Sequence, residues 1–313
     1  CFGTGNTTGT VSLFPGVQVD GIEIDKNVLS LAHHFLKWNH NAQKKKNIHM
    51  YIQDGRTFTR WTQNKYDVIT LEPMSPIQAG TVNLYSREFY QLAAERLNKG
   101  GIMMQWLPLH LVGPDDAKSI LKTFQEVYPH TSIWNSFLTR IVLLVGSKEE
   151  IALDKIRFKE LMRIPEIQSS AQQIGINTFL DFTDFFLTDA NKVNSFMQNA
   201  DLITDDRPLL EFSPATLLPP LKLEVDETFL NYLKYRIGNY PQVRGMMSSE
   251  KRRWEKDFRT RTAQRLSVFS RRYHGPGESA FKKRNYSEGL DEVKTYLDNK
   301  KDQPIRLKGI QWE

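Results

Sequence analysis

Between residues 1 and 147, short β-branched apolar runs alternate with stretches whose apolar residues recur every three or four positions. The first pattern predicts strands at 18–24, 48–53, 67–71, 102–106, 132–134 and 140–145, and the second predicts helices at 26–38, 87–97 and 115–127. Strands separated by helices indicate an α/β fold with a mostly parallel sheet covered on both faces. Asp25 and Ser86 stand as helix N-caps, and Lys99-Gly100-Gly101 reads as a stop after the second helix. The last two strands have no helix between them. With a first strand ending near Cys1, they make a seven-strand sheet closed by a terminal antiparallel hairpin.

From 148 to 200 the pattern is helical, including the apolar run 179–187, which reads as a helical cover on the sheet. Asp201-Leu202-Ile203-Thr204-Asp205-Asp206-Arg207-Pro208 opens a turn, and 209–212 reads as a short strand. Pro214, Pro219 and Pro220 then mark a boundary between an α/β domain at 1–220 and a helical extension at 221–313. Within 279–304, Ala280, Phe281, Tyr286, Gly289, Leu290, Tyr296 and Pro304 are spaced like one tetratricopeptide-type unit. A helical hairpin outside any repeat array fits the same residues equally well.

Charge sharpens this division. The net charge of +6 is uneven. Residues 1–220 hold 21 Lys and Arg against 23 Asp and Glu, whereas 221–313 hold 21 against 13. The basicity belongs to the extension, where the charges are scattered rather than clustered with stacking aromatics, a poor footprint for nucleic acid. A protein partner or an anionic membrane surface is the better expectation for this basic tail. Mean hydropathy is −0.48, and no run approaches the roughly eighteen apolar residues of a membrane span. The single cysteine, Cys1, excludes an internal disulfide framework and a Cys-based zinc site and suits a reducing compartment, such as the cytoplasmic side of a membrane. No signal peptide is legible. The start, Cys1-Phe2-Gly3-Thr4-Gly5, lies at a strand-to-loop junction without an initiator Met, so the chain reads as a piece of a longer protein, with a membrane anchor in the parent as one expectation.

The candidate chemistry gathers at predicted strand ends. Gly3-Thr4-Gly5-Asn6-Thr7-Thr8-Gly9 is a glycine-rich turn of the kind that lets backbone approach a ligand. Its third glycine comes one residue later than in G-x-G-x-x-G, so a nicotinamide dinucleotide is a poor match. Glu23 ends the next strand, where a carboxylate can accept from both hydroxyls of a ribose. Asp54-Gly55-Arg56 follows the strand after that, and its carboxylate can accept from an adenine amine. Glycine turn, ribose acid and adenine acid in this order point to a nucleoside-bearing ligand. The histidines are scattered without convergent ligand spacing, so no metal site is expected; His110, beyond the 102–106 strand, reads as structural or solvated.

Past the end of the 67–71 strand the sequence runs Leu71-Glu72-Pro73-Met74-Ser75-Pro76, then Ala79-Gly80, then Leu84-Tyr85-Ser86-Arg87-Glu88-Phe89-Tyr90, with Gly100-Gly101-Ile102-Met103-Met104-Gln105-Trp106 downstream. From residue 1 to about 134 this combination resembles the spermidine synthase family of polyamine aminopropyltransferases. It is similar above all to long bacterial members joined to membrane helices or helical repeats, which also share a segment like 205–212. The resemblance implies a class I S-adenosylmethionine methyltransferase-like, Rossmann-like sheet and a homo-oligomer. It implies decarboxylated S-adenosylmethionine as co-substrate, without a metal, and an amine such as putrescine as acceptor. By the same resemblance Gly3, Thr4, Gly5 and Gly55 line the donor, Glu23 holds its ribose and Asp54 its adenine. Glu72 stands at the catalytic acid, and Ser75, Tyr85 and Gln105 line the amine pocket.

Two positions depart from the family pattern. Thr4 stands where an acid faces the donor's amine, and Ser75 stands where a second acid holds the substrate amine. An ammonium buried without a carboxylate is costly. Asp205 or Asp206 therefore becomes a candidate to compensate from elsewhere in the pocket. Two other readings stay open: a methyltransferase using intact S-adenosylmethionine, whose carboxylate Thr4 accommodates, and a non-catalytic nucleoside-binding or interaction module.

Overall fold

The computed structural model describes residues 1–73, 75–136 and 140–301. Its strands are β1 (Val19–Glu23), β2 (Ile48–Ile52), β3 (Tyr66–Leu71), β4 (Leu97–Pro108), β5 (His130–Asn135), β6 (Ile141–Ser147), β7 (Leu153–Asp154), β8 (Phe186–Asp189) and β9 (Val243–Arg244). Strands β1 and β2 pair in parallel, as do β3 and β4, with helices in the connections as the alternating pattern requires.

The expected seven-strand sheet needs correcting. Among the described residues the ladder is interrupted: β1–β2 stands alone, and a second sheet has the order β3-β4-β6-β5-β8. The facing edges of β1 and β3 are joined by side chains instead. Asp20 Oδ2 accepts from Tyr66 Oη at 2.7 Å and from Asn64 Nδ2 at 3.2 Å. The antiparallel pairing of β5 with β6 is present, but it is not terminal, because β8 adds to β5 and forms the edge.

Strand β8 arises within the run expected to be helical throughout. Phe179–Asp184 is a helix capped by Thr178, but Phe186–Asp189 extends and pairs with β5. Periodicity does not separate helix from strand in so short a segment of mainly apolar residues. The 26–38 helix is broken into Lys26–Leu31, a 3-10 turn at Ala32–Phe35 and Leu36–Asn39. Residues 209–212 form a 3-10 turn rather than a strand. Lys99-Gly100-Gly101 lies inside β4, where Gly100 at φ +73° permits the kink that shifts the register against β3.

The extension packs onto the α/β unit rather than standing apart. One continuous buried cluster runs from Val82, Tyr90 and Phe124 through Phe229 and Tyr232 to Phe281 and Leu297. The helix Ser248–Arg271 sets Trp254 and Phe258 against Phe179 and Phe186. Arg236, fully buried, fastens this junction: its guanidinium donates to Asp184 Oδ1 at 2.6 Å, to the carbonyls of Asp184 and Phe186 and to Thr262, and it stacks on Phe258. So placed, the charge is paired and hydrogen-bonded, which its burial demands. In the 279–304 region, Glu278–Lys282 and Tyr286–Lys301 form helices, and Gly289 lies so close to the Phe281 ring that a Cβ would meet it at 2.4 Å. Pro304 lies outside the described residues. No helix among the described residues is long and apolar enough to cross a membrane.

Candidate active site at the strand ends

Two ties fix how the sheets face each other. Asp20 and Tyr66 join the beginnings of β1 and β3, while Arg56, just past β2, reaches the segment beyond β3 and donates to the Asn83 carbonyl at 2.7 Å. The C-terminal ends of β1, β2 and β3 therefore open on the same side. In parallel α/β sheets that side is where ligands bind.

The glycine turn comes first. Gly3 and Gly5 adopt φ +56° and +80°, in the left-handed region, and Gly5 leads into the helix Asn6–Val11. Gly9 is needed for closeness: a Cβ there would lie 1.9 Å from the Asn39 carbonyl oxygen. Asn39 also donates to the Thr4 carbonyl at 3.0 Å, holding the turn from outside. The Thr4 side chain is exposed, and no acid stands in the first turn of the helix.

Glu23 is 7% exposed, and its carboxylate is saturated. Oε2 accepts from the backbone N–H of Phe2 at 2.8 Å and Gly3 at 3.3 Å; Oε1 accepts from Ile24 at 2.9 Å and Asp25 at 3.3 Å. Burial pushes this carboxyl up, but the backbone donors outweigh it and hold the group below the usual glutamate range. Glu23 thus organises the turn, and a ribose reaches it only in exchange for its two longer bonds. Asp54 has a cap role that the sequence did not reveal. Its Oδ1 accepts from Thr57 N at 2.7 Å at the start of the unanticipated helix Gly55–Trp61, while the carboxylate remains exposed.

Glu72 follows directly on β3, whose Leu71 pairs with Gln105 on β4. It is solvent-accessible, yet partial burial raises its carboxyl above the usual range. Beside it lie neutral groups. Tyr85 and Gln105 are fully buried, and burial pushes the Tyr85 hydroxyl up, with neighbouring Gln105 opposing and the Glu72 charge adding to the shift. Among the described residues, Ser75 Oγ, Tyr85 Oη and Gln105 Oε1 have no hydrogen-bond partner. Tyr90 Oη, on the helix Arg87–Glu95 and close enough to sense Tyr85, is likewise unpartnered. Nothing in the sequence distinguished Tyr90 from an ordinary core aromatic.

The turn at 201–208 takes a part other than the expected one. Asp205 receives both terminal nitrogens of Arg56, at 2.9 and 2.5 Å, and its backbone N–H donates to Glu88 at 3.0 Å. Burial raises the Asp205 carboxyl, but the hydrogen bonds from Arg56 and Ser86 and the Arg56 charge prevail and lower it. Ile203 O accepts from Arg87 N at 2.9 Å, and Glu211 accepts from Gly80 N at 2.7 Å. This strap therefore holds the 80–88 segment that carries Tyr85. Asp206 is exposed on the same turn. Among the described residues no group of three or more His, Cys, Asp or Glu could hold a metal ion. A wide-open surface depression of about 780 Å³ lies elsewhere, against the helix Tyr286–Lys301, lined by Glu292 and Tyr296 among others.

Comparison with known proteins shows what this part of the chain is similar to. Residues 3–146 match the model of the spermine/spermidine synthase domain. A polyamine aminopropyltransferase from Alkaliphilus oremlandii is 24% identical over 139 residues, 44% of this chain and 49% of that protein. One from Saccharolobus solfataricus is 38% identical over 87 residues, 27% of this chain and 29% of the relative. The chain thus spans about half or less of the length of these curated relatives. Among solved structures, a probable spermidine synthase from Corynebacterium glutamicum aligns with a TM-score of 0.46 at 17% identity, covering 65% of this chain and 69% of that one. Residues 3–146 of the chain are thus similar to the spermine/spermidine synthase domain.

Proposed function

We propose that this protein transfers the aminopropyl group of decarboxylated S-adenosylmethionine to an amine. The observation that carries the reading is Glu72, a carboxylate with a raised pKa at the open end of β3, next to buried polar groups that lack partners. In the transfer, the acceptor nitrogen bonds the aminopropyl carbon attached to sulfur, and the carbon–sulfur pair passes to sulfur, leaving neutral methylthioadenosine. The positive charge moves to nitrogen, and a proton leaves from there. Glu72 takes that proton and steadies the cation as it forms. The glycine turn and the free oxygen of Asp54 offer contacts to the nucleoside, and the Tyr85 ring favours a nearby sulfonium or ammonium by cation–π attraction.

The test is release of methylthioadenosine from decarboxylated S-adenosylmethionine and an amine by the full chain. Glu72→Gln should lower the rate by about 100-fold or more, the usual scale for a general base, without weakening donor binding. An unchanged rate overturns the mechanism. A second reading, methyl transfer from intact S-adenosylmethionine, draws support from the exposed, neutral Thr4 and the acid-free first turn beside it. Calorimetry with both donors separates the two, since methyl transfer requires tighter binding of the carboxylated form.

A further inference from the structure

The aminopropyl-transfer reading leaves the acceptor's chemistry open, and the polar atoms around Glu72 bear on it. Tyr85, Tyr90 and Gln105 are fully buried, Tyr85 and Gln105 are neighbours, and among the described residues their Oη, Oη and Oε1 atoms and the Oγ of partly buried Ser75 have no hydrogen-bond partner. All four are neutral. The acids of the strap and of the 80–88 segment it holds are engaged: Asp205 by Arg56, Glu88 by Arg87 and the Asp205 amide, and Glu211 by the Gly80 amide. Asp206 is exposed, where its carboxylate stays hydrated.

We propose that the acceptor carries one amine, presented to Glu72, and a neutral hydroxyl or amide at its other end, held by Tyr85 and Gln105. A hydroxyl both accepts a phenolic hydrogen and donates to the amide oxygen, satisfying the two together. An ammonium only donates, so it leaves the phenolic hydrogens unpaired. It also loses its hydration with no second carboxylate to replace it, and neutral dipoles offset only part of that cost. The strap deepens this selectivity, because Arg56 holds the Asp205 carboxylate in a two-pronged pair.

This inference rests on Glu72 being the base, and binding separates the two claims. Calorimetry on the full chain, with methylthioadenosine present as the nucleoside, compares 4-amino-1-butanol with 1,4-diaminobutane. The amino alcohol should bind at least tenfold more tightly, and Ser75→Asp should reverse the order. A diamine bound equally or better by the unsubstituted protein, an unchanged ratio in Ser75→Asp, or binding of neither compound overturns the proposal. If the amino alcohol is preferred but decarboxylated S-adenosylmethionine yields no methylthioadenosine with it, the transfer reading fails, and what stands is the pocket's preference for an amine with a neutral hydroxyl end.

Discussion

The two ends of the candidate site handle polarity in opposite ways. At the end proposed for the nucleoside, Glu23 is charged, buried and fully satisfied, with four backbone N–H groups on its two oxygens. At the end proposed for the amine, Tyr85, Tyr90 and Gln105 are neutral and buried, and their Oη, Oη and Oε1 atoms have no hydrogen-bond partner among the described residues. A satisfied buried charge holds the local backbone in shape. Unmade hydrogen bonds do the reverse, reducing the stability of the protein alone in favour of a state in which a ligand completes them.

Substitutions at each end should therefore move stability in opposite directions. The largest effect is expected for Glu23→Gln. An amide offers one acceptor oxygen and turns an NH2 toward backbone donors, leaving at least two N–H groups unpaired, a loss of about 2–4 kcal/mol that thermal or denaturant unfolding would record. Donor affinity should fall with it. Tyr85→Phe removes an unpartnered hydroxyl from the interior and should stabilise the protein by about 1 kcal/mol while lowering kcat/KM for the amine about tenfold. Destabilisation by Tyr85→Phe would erase the contrast between the two ends.

The strap lies between these extremes. The Arg56–Asp205 pair is partly exposed, with the Asp205 side chain at 39%, so after solvent screening Asp205→Asn should cost about 0.5–1 kcal/mol. Its sharper mark should be a raised KM for the amine with kcat nearly unchanged, because the 80–88 segment is held less firmly.

The smallest effects are those of pH. The lowered Asp205 pKa gives stability that is present above the unfolded aspartate value and is lost as pH falls through the folded one. Asp205→Asn should flatten that decline in an acid titration of unfolding. Glu72 has the opposite sign: its raised folded pKa favours the protonated form, a contribution present at low pH and lost as pH rises through that value. Because the base must be ionised, the acid limb of the rate profile should lie above the ordinary glutamate range. A limb at or below that range would separate Glu72 from proton removal.

Much of this was legible in the chain. Asp25 and Ser86 cap helices as their side-chain chemistry dictates, and Glu72 falls at the end of β3 because the β-branched run stops there. Other features have no local signature. The helix Gly55–Trp61 is too short to show a clear period, and Asp54 is at once its cap and a candidate ligand group. Arg56 and Asp205 are 149 residues apart, so that only folding gives them to each other.

The sequence by itself determined the α/β alternation, the glycine turn, the position of Glu72 and the uneven charge, because periodicity, side-chain chemistry and composition are local properties of a chain. Tertiary structure alone decided which polar groups are satisfied. It placed four amides on Glu23 and Arg56 on Asp205, interrupted the ladder between β1 and β3, and left Tyr85 Oη, Tyr90 Oη and Gln105 Oε1 buried without a hydrogen-bond partner among the described residues. Hydrogen bonding and burial depend on neighbours that are distant in sequence, and the chemistry of this site depends on both.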